Sequence, residues 1–179
     1  MDMDPSRTCC FTGHRPEKLP WGLDEGDPRC IAIKFSLSRE IEGLYHRGFR
    51  HFISGMAMGC DLYFAEAALE LREKFPDLTV EGAVPCPTQA DRWPEEQRRR
   101  WQDILARCDL ESMVQQHYDR FCMLRRDRYM VDRSAAILAV FDGRSGGTQY
   151  TLNYAMDKKL EILLLDPLNP NENAVRLTL

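Results

Sequence analysis

The feature that most constrains the fold is a run of seven uninterrupted apolar residues, 135–141, which ends at Asp142 and Gly143. A strand that is apolar on both faces is typical of a parallel sheet with helices covering both sides. A second strand-like segment, 161–165, is apolar after Glu161 and ends before Asp166 and Pro167. Neighbouring parallel strands must be joined by long crossover segments, usually helices, so the chain between such runs should be helical.

Strand-like and helix-like segments alternate along the rest of the chain. Apolar residues recur every three or four positions from Cys30 to Leu44 and predict a helix that ends at Gly48. This alternation predicts an α/β fold: a single-domain, Rossmann-like, doubly wound and mostly parallel sheet of about six strands. The domain should span 1–179, with a core at about 8–166 and a polar C-terminal tail. Strands are predicted at 8–12, 51–54, 78–84, 111–115, 135–141 and 161–165, and helices at 30–44, 61–74, 97–108, 121–133 and 148–158.

Composition excludes several classes of protein. The chain has 179 residues, of which 44% are hydrophobic and 29% charged, as expected for a globular domain. The net charge of −4 argues against a protein whose main task is to grip a phosphate backbone. No apolar run approaches the ~20 residues that span a bilayer, and the first ten residues do not form a secretory signal. We therefore expect a cytoplasmic protein without membrane contact.

The seven cysteines are scattered and show no Cys-x-x-Cys spacing. In a cytoplasmic chain they are expected to be reduced thiols, several of them in the core. A structural zinc site needs paired ligands at short spacing, so no metal site is predicted.

Three loops at strand ends carry the candidate functional residues. The first is Thr12-Gly-His-Arg-Pro16, in which Gly13 allows close approach to the backbone. His14 and Arg15 offer donors for an anion, and the guanidinium of Arg15 can bind one bidentately. A plain surface turn explains this loop equally well.

The second loop, 54–61, opens directly into a helix and contains Gly55 and Gly59 after Ser54. Backbone N–H groups and the positive end of the helix dipole meet at such a junction, which favours an anion. The Walker A and dinucleotide-binding patterns are both absent. Asp61 either caps the helix or contacts a ribose hydroxyl or a base. Cys60 is interpreted as a small buried residue rather than an activated thiol.

The third loop, 142–148, again opens into a helix, and Gly146 and Gly147 offer consecutive backbone donors. The alternative interpretation is a plain glycine turn in which Thr148 is the N-cap of the helix. One helix dipole contributes only about 0.3–1 kcal/mol, whereas micromolar binding needs about 8. Loops at the carboxyl ends of parallel strands share one edge of the sheet, so the three loops together predict one anion site. The predicted ligand-binding residues are Gly13, His14, Arg15, Ser54, Gly55, Gly59, Asp61, Asp142, Gly146, Gly147 and Thr148.

At these residues the sequence resembles the SLOG superfamily of Rossmann-like nucleotide-ligand domains. Residues 53–61 resemble a motif of the DprA family, and 146–148 resemble the glycine-rich motif of the LOG phosphoribohydrolases. The combination is most similar to the YpsA-like branch, small bacterial proteins of unsettled function. Features shared with that branch are the loop 12–16, Pro85-Cys-Pro87 with Gln89 and Trp93, and the segment 128–132.

The resemblance implies three alternative functions. The first is a sensor of a nucleotide or ADP-ribose-like ligand, the only bound group that we expect. The second is a nucleoside-phosphate N-glycosidase like the LOG enzymes. The glutamate with which those enzymes cleave the N-glycosidic bond is replaced here by Thr151, which cannot act as an acid or base. Whether the protein is an enzyme is therefore left open. The third is single-stranded DNA binding, which the acidic net charge disfavours. A homo-oligomer is also left open.

The arginines outside the three loops are interpreted as peripheral. Arg98 to Arg100 are expected on a solvated helix face. The helix 121–133 should lead away from the ligand edge, and its cluster 125–128 is either a structural ion-pair group or, at Arg128, an indirect support of the site.

Overall fold

Residues 3–178 are described by a computed structural model and form one seven-stranded sheet with five α-helices. Met1, Asp2 and Leu179 lie outside the described residues. The strands are β1 (Thr8–Gly13), β2 (His51–Ser54), β3 (Thr79–Val84), β4 (Leu110–Met113), β5 (Ala136–Val140), β6 (Glu161–Leu165) and β7 (Val175–Leu177). The helices are α1 (Pro28–His46), α2 (Cys60–Lys74), α3 (Glu95–Arg107), α4 (Cys122–Asp132) and α5 (Gly147–Asp157).

The sheet has the order β4-β3-β2-β1-β5-β6-β7. All pairs are parallel except β6 with β7. The strand order turns back between β1 and β5, as in a doubly wound fold, and the crevice beyond their carboxyl ends is where such folds bind ligands. The predicted α/β class and mostly parallel sheet are confirmed.

Both faces of the sheet are buried, which explains the uninterrupted apolar run. Ile137 and Ala139 pack with α4 and α5, whereas Leu138 and Val140 pack on the opposite face with α1 and α2. The aromatic side chains concentrate on that second face, where Phe11 stacks on Phe64 at 4.7 Å between ring centroids. The core therefore lies on both sides of β1 and β5 and fixes their carboxyl ends.

The C-terminal segment differs from the prediction. Val175–Leu177, which was expected to be part of a polar tail, forms the antiparallel edge strand β7. Its three residues are exposed, and Arg176 pairs with Glu161 at 2.9 Å. Three exposed residues carry too little apolar periodicity to be recognised as a strand, so the sheet has one strand more than expected. No helix within 3–178 is long and apolar enough to cross a membrane.

Candidate functional site

A cavity of about 220 Å³ lies at the carboxyl edge of the sheet, next to the ends of β1 and β5. The loop after β1 and the first turns of α2, α4 and α5 form its walls. Six of the predicted ligand-binding residues line it: Gly13, His14, Arg15, Asp61, Gly147 and Thr148. The sequence placed two further lining residues, Arg126 and Asp127, in a peripheral cluster. The other lining residues are Phe11, Thr12, Glu17, Lys18, Ala57, Met123 and Leu124.

The N-terminus of α5 forms one wall of the cavity. Gly146 is the N-cap residue, with φ of 149°, and no side chain caps this helix end. Thr148 is therefore inside the helix and is not its cap, and Thr151 Oγ1 donates to the carbonyl of Gly147 at 2.9 Å. A Cβ added at Gly147 would meet no atom within 4 Å. The positive end of the α5 dipole thus faces open space at the cavity.

Basic side chains stand beside this helix end. Lys18 Nζ donates to the carbonyl of Ser145 at 2.8 Å and lies close to Gly146. Arg144 binds the carboxylate of Asp142 at 2.7 Å and also donates to the carbonyl of Lys18. These bonds join the loop after β1 to the loop after β5. We call Lys18 and the N-terminus of α5 the positive corner of the cavity.

His14 is held by Asp142 in the wall behind the positive corner. His14 Nε2 lies 2.7 Å from Asp142 Oδ1, and both side chains are only 2% exposed. Burial opposes ionisation of Asp142, but hydrogen bonds from the Arg144 amide, His14 and the Arg144 guanidinium lower its pKa below the ordinary value. Asp142 is thus an ionised acceptor that orients the His14 ring.

Asp61 provides a carboxyl group on the opposite wall. It lies in the first turn of α2, whose N-cap is Gly59 and not Asp61. Asp61 Oδ2 accepts a hydrogen bond from the Ala57 amide at 3.1 Å, while Oδ1 receives none from residues 3–178. Burial raises the pKa of Asp61 to about 6, although the nearby charge of Arg126 lowers it. The cavity therefore contains a buried carboxyl group with one oxygen left for a ligand.

The remaining predicted residues support the wall without lining the cavity. Ser54 Oγ donates to the carbonyl of Asp61 at 2.8 Å and accepts from the Met56 amide at 3.2 Å. Gly59, with φ of 94°, packs so closely that an added Cβ would lie 3.0 Å from the His14 carbonyl oxygen. Those that do not line the cavity are Ser54, Gly55, Gly59, Asp142 and Gly146.

Cys60, beside this wall, is fully buried, and burial raises its pKa well above the ordinary value. An activated thiol needs a lowered pKa, so this microenvironment supports the interpretation of Cys60 as a small core residue.

Helix α4 brings to the cavity side chains that the sequence had placed at the periphery. Its N-terminal half lines the cavity, and its far end leads away from the ligand edge to β5, as expected. Arg126 is 5% exposed, donates to Asp127 Oδ1 at 2.8 Å and also donates to the carbonyl of Gly55. Arg128 instead donates outside the cavity to the Tyr150 hydroxyl at 2.8 Å. The spacing Cys122, Arg126, Met130 could have revealed the buried arginine, because it places Arg126 within an apolar helical stripe.

Residues 3–178 contain no group of three or more His, Cys, Asp or Glu side chains placed to hold a metal ion. The cavity brings together the positive corner, the carboxyl group of Asp61 and the buried guanidinium of Arg126.

The family model for YpsA, described as the YspA SLOG family, matches residues 9–166. The chain belongs to the YpsA SLOG family. Two UPF0398 proteins, from Bacillus thuringiensis (strain Al Hakam) and Bacillus cereus (strain AH187), are each 28% identical to it over 159 residues. Each alignment covers 87% of this chain and 85% of the relative.

Two solved structures of DNA processing protein A (DprA) share the fold. DprA from Streptococcus pneumoniae matches with a TM-score of 0.59 and 15% identity, over 89% of this chain. This chain spans 50% of that DprA chain. DprA from Helicobacter pylori, whose structure addresses its single-stranded DNA binding mode, matches with a TM-score of 0.58 and 19% identity, over 93% of this chain and 71% of that one. At these identities the similarity shows the SLOG-type fold alone.

Proposed function

We propose that the cavity binds a phosphorylated ribose compound, such as a nucleotide or an ADP-ribose-like metabolite, and that the protein is a cytoplasmic sensor of that ligand. The observation that carries the proposal is the polarity of the cavity, with the positive corner at Lys18 on one side and the open oxygen of Asp61 on the other. A phosphate suits the first side because it gains from a helix N-terminus and an ammonium group. A ribose hydroxyl suits the second, because it can donate to the carboxyl group.

The two helix ends take different roles in this proposal. Asp61 lies in the first turn of α2 and would repel a phosphate whenever it is ionised. The Cys60 amide at the same helix end already donates to the carbonyl of His14 at 3.3 Å. We therefore assign the phosphate to Gly147 and Thr148 on α5, and the sugar to Asp61. Arg15 supplies a further positive charge at the cavity wall.

An N-glycosidase is the second candidate, because Asp61 has the properties of a general acid or base. Its pKa of about 6 allows proton transfer near neutral pH, and it lies in the same cavity as the buried Arg126. Thr151, at the position of the LOG glutamate, is 1% exposed and its hydroxyl is bonded to Gly147. A hydrolase would thus depend on Asp61 and not on residue 151.

Single-stranded DNA binding has less support in this chain. Arg100, in the basic run of α3, is held by Glu25 and Glu66 through hydrogen bonds of 2.5–2.9 Å. Arg99 pairs with Glu95 on the same helix. These carboxylates offset the charge that a phosphate backbone would need, and the net charge of the whole chain is −4.

Thermal unfolding with inorganic phosphate, ribose 5-phosphate, AMP and ADP-ribose tests the proposal. A ligand present at 100 times its Kd stabilises the fold by about 2.7 kcal/mol, a rise in Tm of about 5–10 °C for a chain of this size. Lys18→Met should reduce this rise. Lys74→Met is the matched control, since Lys74 is exposed at the far end of α2 and pairs with Glu42.

Two outcomes decide between the readings. If no phosphorylated compound raises the Tm of the wild-type protein, or if Lys18→Met responds like Lys74→Met, the proposed function is wrong. Adenine released from AMP by the wild-type protein, and lost in Asp61→Asn, would instead establish the N-glycosidase.

A further inference from the structure

A second cavity, of about 460 Å³, adjoins the first, and Met123 at the start of α4 lines both. It lies between two segments of the chain: residues 86–93, which follow β3, and the segment around Tyr118, which precedes α4. Its walls include two aromatic side chains, Trp93 and Tyr118, together with Gln89 and Arg92. Nothing in the phosphate and ribose assignment uses this cavity.

Tyr118 is an exposed aromatic side chain at the second cavity. Its side chain is 69% exposed, and its hydroxyl takes part in no hydrogen bond with residues 3–178. The segment that carries it is nevertheless fixed at both ends. The Gln115 amide donates to the carbonyl of Pro85 at 3.2 Å, and Arg125 pairs with Asp119 at 2.6 Å. An anchored loop that presents a free aromatic ring at a cavity is suited to stacking on a ligand.

Trp93 on the other segment is half-buried and rigidly placed. It packs edge-on against Trp101, with ring centroids 6.5 Å apart and an interplanar angle of 78°. Trp101 Nε1 in turn donates to Gln89 Oε1 at 3.1 Å. Gln89 Nε2 donates to the carbonyl of Gly55 at 3.0 Å, the same oxygen that accepts from Arg126. The wall between the two cavities is therefore a continuous hydrogen-bonded unit.

The size of the first cavity favours a second subsite for the rest of a nucleotide. At about 220 Å³ it is smaller than the ~300–1,000 Å³ of pockets that enclose whole ligands, and the two cavities together fall within that range. The orientation of the Gln89 carboxamide is fixed by its bonds to Gly55 and Trp101, and the side chain is only 8% exposed, so it is poorly placed to read the edge of a base. The second cavity would therefore recognise a base by stacking of the base on an aromatic side chain, an interaction that any base can make.

We propose that the second cavity is the subsite for the aromatic base of the ligand, which stacks on Tyr118 and Trp93 while the ribose phosphate occupies the first cavity. This rests on the proposed function and narrows it, since it makes the ligand a nucleotide and not a simple sugar phosphate.

Calorimetric titration with ribose 5-phosphate and with AMP separates the two subsites. Base–aromatic stacking contributes about 1–3 kcal/mol, so AMP should bind the wild-type protein about 5- to 150-fold more tightly than ribose 5-phosphate. Tyr118→Ala should remove part of that difference, and Tyr118→Phe, which keeps the ring, should preserve it. The Kd of ribose 5-phosphate should be the same in all three proteins. Tyr118 is exposed, so both variants should fold like the wild type.

Tryptophan fluorescence gives an independent readout of the same contact. AMP should quench the emission of Trp93, and ribose 5-phosphate should not; Trp93→Phe should abolish the quenching while AMP still binds.

Equal affinity of the wild-type protein for AMP and ribose 5-phosphate would overturn the base subsite and leave the proposed function intact. Failure of both compounds to bind would overturn both proposals. Tight binding of a single-stranded oligodeoxynucleotide with no binding of AMP would also overturn the subsite, in favour of a nucleic-acid surface.

Discussion

The buried guanidinium of Arg126 donates a hydrogen bond to the carbonyl oxygen of Gly55, which joins the helix before β5 to the loop after β2. A Cβ added at Gly55 would lie 2.7 Å from Arg126 Nη1, so the glycine is needed for the close approach. The same guanidinium binds Asp127 at 2.8 Å, and its charge partly offsets the burial that raises the pKa of Asp61. Arg126 thus joins two walls of the cavity.

Arg126→Met should destabilise the protein by about 3–5 kcal/mol. The substitution leaves Asp127 buried without its partner and removes a donor from Gly55, and loss of one member of a buried ion pair carries a cost of this order. Urea unfolding of wild type and variant measures the difference.

Arg125→Met is the matched control for that substitution. Arg125 is 51% exposed and pairs with Asp119 at the surface, so its loss should cost about 1 kcal/mol or less. Equal destabilisation by the two variants would show that Arg126 has no special structural role.

The sequence predicted the strands and the position of the candidate site, but not the different roles of these two arginines. The strands 51–54 and 161–165 coincide with their predicted bounds, because a short segment with an apolar centre that is followed closely by glycine or proline is a local signal. The position of the candidate site followed from the rule that loops after parallel strands share an edge. The place of Arg126 in the cavity wall was missed because its partner, Gly55, lies 71 residues away in the chain. A charged residue within a helix is also ordinarily interpreted as exposed.

Asp61→Asn should change the pH dependence of stability. Burial raises the pKa of Asp61 from the ordinary 3.8 to about 6, so the native state binds more protons than the unfolded state between these values. The contribution of Asp61 to stability therefore falls as the pH rises from about 4 to about 6, by about 3 kcal/mol in total. Asn does not ionise, so the variant lacks this loss of stability. The difference in the free energy of unfolding, variant minus wild type, should therefore rise by about 3 kcal/mol between pH 4 and pH 6. Urea unfolding at pH 4, 5, 6 and 7 measures it, and a flat difference would contradict the role of burial.

Gly147→Val and Gly146→Val should separate ligand binding from backbone strain. Gly147 has open space around it, so valine there should change the free energy of unfolding by about 1 kcal/mol or less. The same valine should abolish the rise in Tm with AMP, because its side chain crowds the amides that we assign to the phosphate. Gly146 has φ of 149°, so valine there should cost about 1–3 kcal/mol even without ligand. Thermal melts of both variants, with and without AMP, test this; if Gly147→Val keeps the wild-type response, the α5 terminus is only a turn.

The central claim is that one ribose phosphate lies between the positive corner and Asp61, and a crystal structure of the protein with AMP tests it most directly. The account predicts phosphate oxygens about 3 Å from the amides of Gly147 and Thr148, near Lys18, with a ribose hydroxyl donating to Asp61 Oδ1. A phosphate placed at the N-terminus of α2, or an empty cavity in crystals at an AMP concentration that saturates the thermal response, would contradict it.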